Sequence, residues 1–381
     1  MSNETKIIDF IFLQHGFSVA TVNVKEHWGA FGTSLKKELG ENCIIKCCNA
    51  NSVKGKTFDG FYAGALRLAN EICEELKEAK KQRGEEKYRL HFIGHSMGGI
   101  YFRIAIYILN RRKLFDDPNY IPFSYVSLEA PHLGVKKPAG NGIFDTLYSG
   151  ITQTFWNGQS VNDLALNDRP YPPYDEKCVD ELPILMRICE DDYLDVLRKF
   201  KHLTLVQNIR FSYQCPYVSA AIDRALPYTR DHMKDLYLVE AFDFDEKYSD
   251  ILSGCTNHYE LQPEKGEVFE ERVDGCVIYE RIVSKLNTLP WRRMNVHFRT
   301  KSADAHLFIM GDMYRNKMFK NWRNDDTDVY LKQISQIFKR DIELDDKSME
   351  ESKEEVKEVQ QEQVEQPTET PQTNEPQGDL Q

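Results

Sequence analysis

Gly94-His95-Ser96-Met97-Gly98 places one serine between glycines two positions to either side. That spacing suits a nucleophile. A serine on a sharp strand-to-helix turn has its hydroxyl lifted clear of a sheet, and the glycines prevent clashes with the crowded backbone. The same turn aims the next backbone N–H, that of Met97, and the positive end of the following helix at an oxygen on which charge develops. A bare G-x-S-x-G arises by chance about once in ten chains of this length. Here it lies between an apolar strand, "YRLHFIG", and an amphipathic helix, "MGGIYFRIAIYILNRR". That is the context the chemistry requires, so Ser96 is read as a nucleophile.

A nucleophilic serine needs a base and a second oxyanion donor. In a strand–elbow–helix architecture the order along the chain is Ser, acid, His. Of ten histidines, only His297 and His306 follow the last long spacer. His297 sits inside "MNVHFRT", whose alternation makes it a strand residue. His306 lies beyond that strand, in "KSADAHLFIMGD", a polar loop opening into a helix, where a mobile imidazole is presented. His306 is therefore the expected base. "FLQHGF" ends an earlier strand. Gly16 permits a tight turn there and leaves the backbone N–H of Phe17 as the second donor beside Met97. His15 precedes Ser96 and is read as structural, as is His132 of "PHLG".

These residues must be positioned by a sheet. "KIIDFIFLQHG", "NCIIKCC", "YRLHFIG", "FSYVSLEAPH", "LTLVQNIRF" and "MNVHFRT" read as strands. Apolar residues at 58, 61, 65, 68, 72, 76 and 79 recur with helical spacing. "EHWGAFGTSLKKEL" reads as a covering helix. Strands alternating with helices predict an α/β fold with a mainly parallel central sheet and helices on both faces. Two spacers are too long for simple crossovers, which predicts cap-like insertions at about 134–200 and 228–290 within a domain spanning 1–340. In the first, "GIFDTLYSGITQTFWNG" sets Phe155 and Trp156 near one apolar helical face. This is either a lid or acyl-chain wall above Ser96, or an ordinary packed helix.

Composition limits the partners. The formal charge is −11, from 49 basic and 60 acidic residues. Residues 341–381 hold 14 acidic and 3 basic residues, so residues 1–340 carry 46 of each sign and are neutral. A neutral body argues against nucleic acid. The acidic tail, rich in Glu, Gln, Pro and Thr, is expected to be disordered, with room for one charged helical stretch near its start. The start of the chain lacks signal-peptide features, and no apolar run is long enough to span a membrane. Nine cysteines, an odd number without metal-ligand spacing, read as reduced thiols. The expectation is a cytoplasmic protein without a transmembrane segment, in peripheral contact at most with membranes or lipid droplets.

Several segments in order resemble one family, the putative serine esterases, a lipase-like branch of the α/β-hydrolases. They are "FLQHGF", "KTFDGFYAGALRLANEI", "LHFIGHSMGG", "SLEAPHLGV", "VQNIRFSYQCPY", "LPWRRMNVHF" and "DAHLFIMGD", covering about residues 6–320. The resemblance implies an α/β-hydrolase with an inserted cap. It implies hydrolysis of carboxylic esters, lipid acyl esters in particular, without metal or cofactor, and supports Ser96 and His306 in their roles. It also exposes a departure. The family's acid follows the strand read here as "LTLVQNIRF", and its position is occupied by Ser212. One strand earlier, "SLEAPHLGV" carries Glu129 where the family more often resembles Ser-Leu-Ala-Thr-Pro-His-Leu-Gly. Some lipases take their acid from that strand. The expectation is that the acid has migrated to Glu129, which requires it within about 4 Å of the His306 ring. Asp223, Asp274 or no working acid are the alternatives. An acyltransferase or protein deacylase on the same triad, or a pseudo-hydrolase binding lipid or protein, are the rival functions.

Overall fold

Runs that are apolar on both sides of the chain form strands buried on both faces of a sheet. In the computed structural model these are β1 (Ile7–Gln14), β2 (Cys43–Cys47), β3 (Lys87–His95), β4 (Tyr120–Leu128), β5 (His202–Asn208) and β7 (Trp291–His297), with β6 (Leu238–Phe242) between the last two. The structure describes residues 6–84, 86–135, 158–169, 182–209, 212, 214–225, 238–252, 277–298, 305–311 and 325–365. The strand order is β2-β1-β3-β4-β5-β7-β6. Six strands run parallel, as the alternation of strands and helices predicts. β6 pairs antiparallel with β7 at one edge; it lies in the second expected insertion and was not anticipated.

Helices α1 (Gly29–Leu39), α2 (Phe61–Arg83), α3 (Met97–Arg111), α4 (Gln159–Leu164), α5 (Asp191–Leu197), α6 (Tyr217–Ala221), α7 (Val277–Leu286), α8 (Ala305–Phe308) and α9 (Asp325–Glu365) accompany the sheet. The helical spacing read between residues 58 and 79 belongs to α2, which buries Phe61, Ala65, Leu68, Ile72, Leu76 and Ala79. The helix starts at Phe61 because Gly60, at φ 101°, breaks the pattern. There Asp163 Oδ2 accepts the Phe61 N–H at 2.7 Å and Ser160 Oγ the Gly60 N–H at 2.9 Å. Side chains from α4 thus satisfy backbone donors left without helical partners.

Strand alternation divides the core in two. Ile8, Phe10, Phe12, Leu90 and Phe92 pack with α2 and α3 residues such as Leu68, Ile72, Ile100 and Ile104. Burial of each such side chain contributes about 1.5–3 kcal/mol. Ile11, Leu13, Ile93 and Met294 are buried outside that cluster. Phe31 and Leu35 of α1 and Tyr330, Leu331 and Ile334 of α9 are likewise buried outside that cluster. These two helices meet where Ser34 Oγ donates to Leu331 O at 2.9 Å.

The chain divides into two compact units, Met1–Ile337 and Phe338–Gln381. The first holds the whole sheet. In the second, α9 continues to Glu365, so residues 341–365, most of the tail expected to be disordered, are helical, and residues 366–381 lie outside the described residues. Helix-forming Glu, Lys and Gln favour this, with Lys347 and Glu351 one turn apart at 3.8 Å. Among the described residues, no helix is long and apolar enough to cross a membrane.

Candidate active site

Ser96 follows β3 with φ 52° and ψ −130°, backbone angles that L-residues rarely adopt, and α3 begins at the next residue. Such a conformation costs of order 1–3 kcal/mol and persists where the surroundings over-determine it. Here the Ser96 N–H extends the parallel ladder to Leu128 O at 2.8 Å. A Cβ at Gly98 would collide with the Gln14 carbonyl, so glycine lets β1 and the elbow approach closely. A Cβ at Gly16 would lie 2.6 Å from Ser96 Cβ and 3.0 Å from its Oγ. The loop after β1 therefore closes directly on the serine. Phe17 follows Gly16, and its ring meets that of Phe58 at a centroid distance of 4.6 Å with the planes tilted by 56°. Met97 supplies the first N–H of α3, a donor with no intrahelical acceptor.

The end of β4 repeats the device one strand along. Glu129 has φ 50°, and its N–H bonds Val206 O of β5 at 2.8 Å. The turn directs its fully buried carboxylate at α8. Oε2 of Glu129 stands 2.7 Å from Nδ1 of His306, inside the 4 Å that migration of the acid requires. Oε1 accepts the Asn208 N–H at 2.9 Å, and Oε2 also accepts the Ser212 hydroxyl at 2.8 Å. A buried carboxylate is tolerable only with such partners.

His306 is itself buried, on a helix of four residues. Nδ1 carries its proton toward Glu129, leaving Nε2 as the basic nitrogen. Its ring lies 4.5 Å from that of His95, the residue before Ser96. His95 Nε2 donates to His306 O at 2.8 Å. Burial, and secondarily the neighbouring His306, hold the His95 pKa well below the usual imidazole value, so it remains neutral.

The remaining candidates separate. His15 Nδ1 donates to Gly16 O at 2.8 Å. His132 pairs with Ser127 Oγ at 2.8 Å and accepts from the Arg103 guanidinium at 3.3 Å. His297 is the last residue of β7, paired with Leu238 of β6. Asp223 accepts the Arg224 N–H at 2.6 Å, whereas the contact on His306 Nδ1 belongs to Glu129. Phe155, Trp156 and Asp274 lie outside the described residues. Among the described residues, no group of three or more His, Cys, Asp or Glu is arranged to hold a metal. Sequence reasoning assigned no part to Asn208 and His95 and read Ser212 only as a vacated position. The available signals were a polar residue ending a buried strand and a histidine inside the elbow.

A parallel sheet with a strained serine between strand and helix, an adjoining glycine loop and a carboxylate–imidazole pair defines an α/β-hydrolase. The chain belongs to the family described as "Putative serine esterase (DUF676)", whose model matches residues 4–222. A Saccharomyces cerevisiae protein described as "Putative lipase" is 27% identical over 199 residues, 52% of this chain and 28% of the yeast protein. The match thus spans little more than a quarter of that relative. Among solved structures, the phospholipase PlaB of Legionella pneumophila in complex with thio-NAD is 14% identical, with 58% of this chain and 41% of that one covered and a TM-score of 0.34. The peroxisomal α/β-hydrolase Lpx1 of S. cerevisiae is 14% identical, with coverage of 56% and 66% and a TM-score of 0.32.

Proposed function

We propose that this chain hydrolyses carboxylic esters through a Ser96–His306–Glu129 triad, with lipid acyl esters as its substrates. The observation that carries the reading is the 2.7 Å contact between Glu129, just after β4, and His306, on the short helix after β7. Ser96 Oγ attacks the ester carbonyl while His306 Nε2 takes its proton. Glu129 holds the imidazole in the required tautomer and balances its positive charge. The oxyanion is received by the N–H groups of Met97 and Phe17. On collapse, the alkoxide leaves with the proton from His306, and the acyl group stays on Ser96. Water then repeats the sequence, with His306 as base, and releases the acid.

Family membership and the yeast relative's description support an ester, and a lipid ester among esters. The paired carboxylate and imidazole favour catalysis over a binding module, since burying both without chemical use is costly. A cytoplasmic location with peripheral membrane or lipid-droplet contact, and a cap over the site within 134–200, are parts of the same proposal.

Labelling with a fluorophosphonate probe tests it. The natural protein should label, Ser96→Ala should not, and Glu129→Gln should label slowly. A folded natural protein that resists the probe, or labelling that survives Ser96→Ala, would overturn the reading.

A further inference from the structure

The helix that carries His306 has four residues, too few to fix its own orientation. Two side chains from elsewhere hold it by consecutive carbonyls. Asn208 Nδ2 at the end of β5 donates to Ala305 O at 3.0 Å. His95 Nε2 at the end of β3 donates to His306 O at 2.8 Å. The anchors lead back to the other two members of the triad. The backbone N–H of Asn208 bonds Glu129 Oε1 at 2.9 Å, and His95 is covalently joined to Ser96. Nucleophile, base and acid are thus linked in one short circuit of contacts.

Neither anchor is explained by packing. His95 is 3% and Asn208 1% exposed. Each leaves a second polar atom, His95 Nδ1 and Asn208 Oδ1, buried with no hydrogen-bond partner among the described residues. An apolar residue of similar shape would avoid that cost. What each uniquely supplies is one N–H directed at the base's helix.

We infer that His95 and Asn208 are positioning residues that seat His306 on Glu129. The inference rests on the triad reading for its catalytic consequence but not for its geometry. A bond from Nε2–H fixes the His95 tautomer, with Nδ1 unprotonated. The charged and titratable groups around His95 are consistent with a neutral ring. His306 is 4.5 Å away ring to ring, His27 lies 6.0 Å away, and His15 lies 6.0 Å beyond His27. Glu129 is engaged by His306. A neutral donor here avoids setting a second cation against the imidazolium that forms on His306.

The test uses the full chain and three variants. His95→Phe removes the donor and keeps an aromatic ring. His95→Gln restores an N–H at nearly the ring's Nε2 position. Asn208→Leu removes the side-chain donor but keeps the backbone bond to Glu129. Two readouts are taken with the urea unfolding midpoint: the downfield proton resonance of His306 Nδ1, assigned by its absence from His306→Gln, and the rate of fluorophosphonate labelling. Misplacement of a catalytic group by about 1 Å costs on the order of 100-fold. His95→Phe and Asn208→Leu should therefore shift or broaden the resonance and slow labelling about 10- to 100-fold. His95→Gln should recover both to within a few-fold.

An unchanged resonance and rate in both donor-less variants would overturn the inference. So would equal losses in His95→Phe and His95→Gln that follow the unfolding midpoint, which would assign His95 to packing. If His95→Phe does not fold, Asn208→Leu decides. A resonance that responds as expected in a natural protein that the probe does not label would retain the seating and discard the esterase.

Discussion

Ser212 Oγ donates to Glu129 Oε2 at 2.8 Å and lies 3.5 Å from His306 Nδ1. The serine thus touches the carboxylate at the same oxygen that engages the imidazole. The site has two places, on the loops after β4 and β5, from which a side chain can reach Nδ1 of His306.

Exchange of the acid between those places is the first prediction. Glu129→Gln should lower kcat by up to about 10⁴, the loss a triad suffers when its acid becomes an amide. Ser212→Asp in that background should recover at least tenfold. Ser212→Asp alone sets two carboxylates within hydrogen-bond distance, where like charges oppose each other, and should slow the proposed ester hydrolysis. Two harmful single changes whose combination is better than Glu129→Gln are a coupling that a double-mutant cycle reads directly. A double variant no faster than Glu129→Gln would show that position 212 cannot serve the base.

Gly16 makes the second prediction. Its missing Cβ leaves space that would otherwise lie 2.6 Å from Ser96 Cβ. Gly16→Ala must displace either the loop after β1 or the serine. Loss of one oxyanion donor costs about 10²–10³ in kcat in well-studied hydrolases. Gly16→Ala should lose activity on that order, with a stability cost of about 1–3 kcal/mol from overpacking. Esterase assays with short, water-soluble esters separate this from any effect on lipid binding.

Much of the framework was legible because its signals are local. The six parallel strands are short apolar runs ending in turn residues, and the elbow needs glycine at fixed offsets from Ser96. His306, which the structure sets against Glu129, was singled out by its place in chain order. Glu129 became visible only through a departure from a family pattern, because nothing local distinguishes an acid bonded to a base 177 residues away from one on a surface. β6 was missed because "LVEAF" is short and sits within an expected insertion. Asn208 and His95 act through backbone carbonyls of another segment, a pairing with no sequence signature.

Asp163 yields a prediction on pH. Burial pushes its pKa up to about 6 from 3.8, opposed by the Phe61 N–H and Gln159 bonds. A raised carboxyl pKa favours the protonated folded state. Its contribution is fully present below 3.8 and lost as pH rises through 6. Asp163→Asn keeps one acceptor for Phe61, and Gln159 can turn its amide to match. The variant should gain on the natural protein between pH 4 and 7, by up to about 3 kcal/mol. Urea unfolding of both proteins across that range measures the gap, and a gap that does not grow with pH would contradict the account.

The buried histidines act in the opposite direction. Burial, then His306, lowers the His95 pKa, and burial, then Arg103, lowers that of His132, both well below 6.5. In the unfolded chain both take protons as pH falls below 6.5, while in the folded protein they resist, so the unfolded state binds more protons. Their contribution is present above 6.5 and is lost as pH falls toward the folded values, with a slope of up to about 1.4 kcal/mol per pH unit for each residue. His95→Gln keeps the donor to His306 O and removes the titration. The fall in stability between pH 6.5 and 5 should therefore be shallower in this variant by up to that slope, measured by urea unfolding at fixed ionic strength. An identical slope would mean that His95 is protonated in the folded protein. A charged His95 would also stand beside the His306 imidazolium, so the labelling rate of the natural protein would then fall over the same pH interval faster than that of His95→Gln.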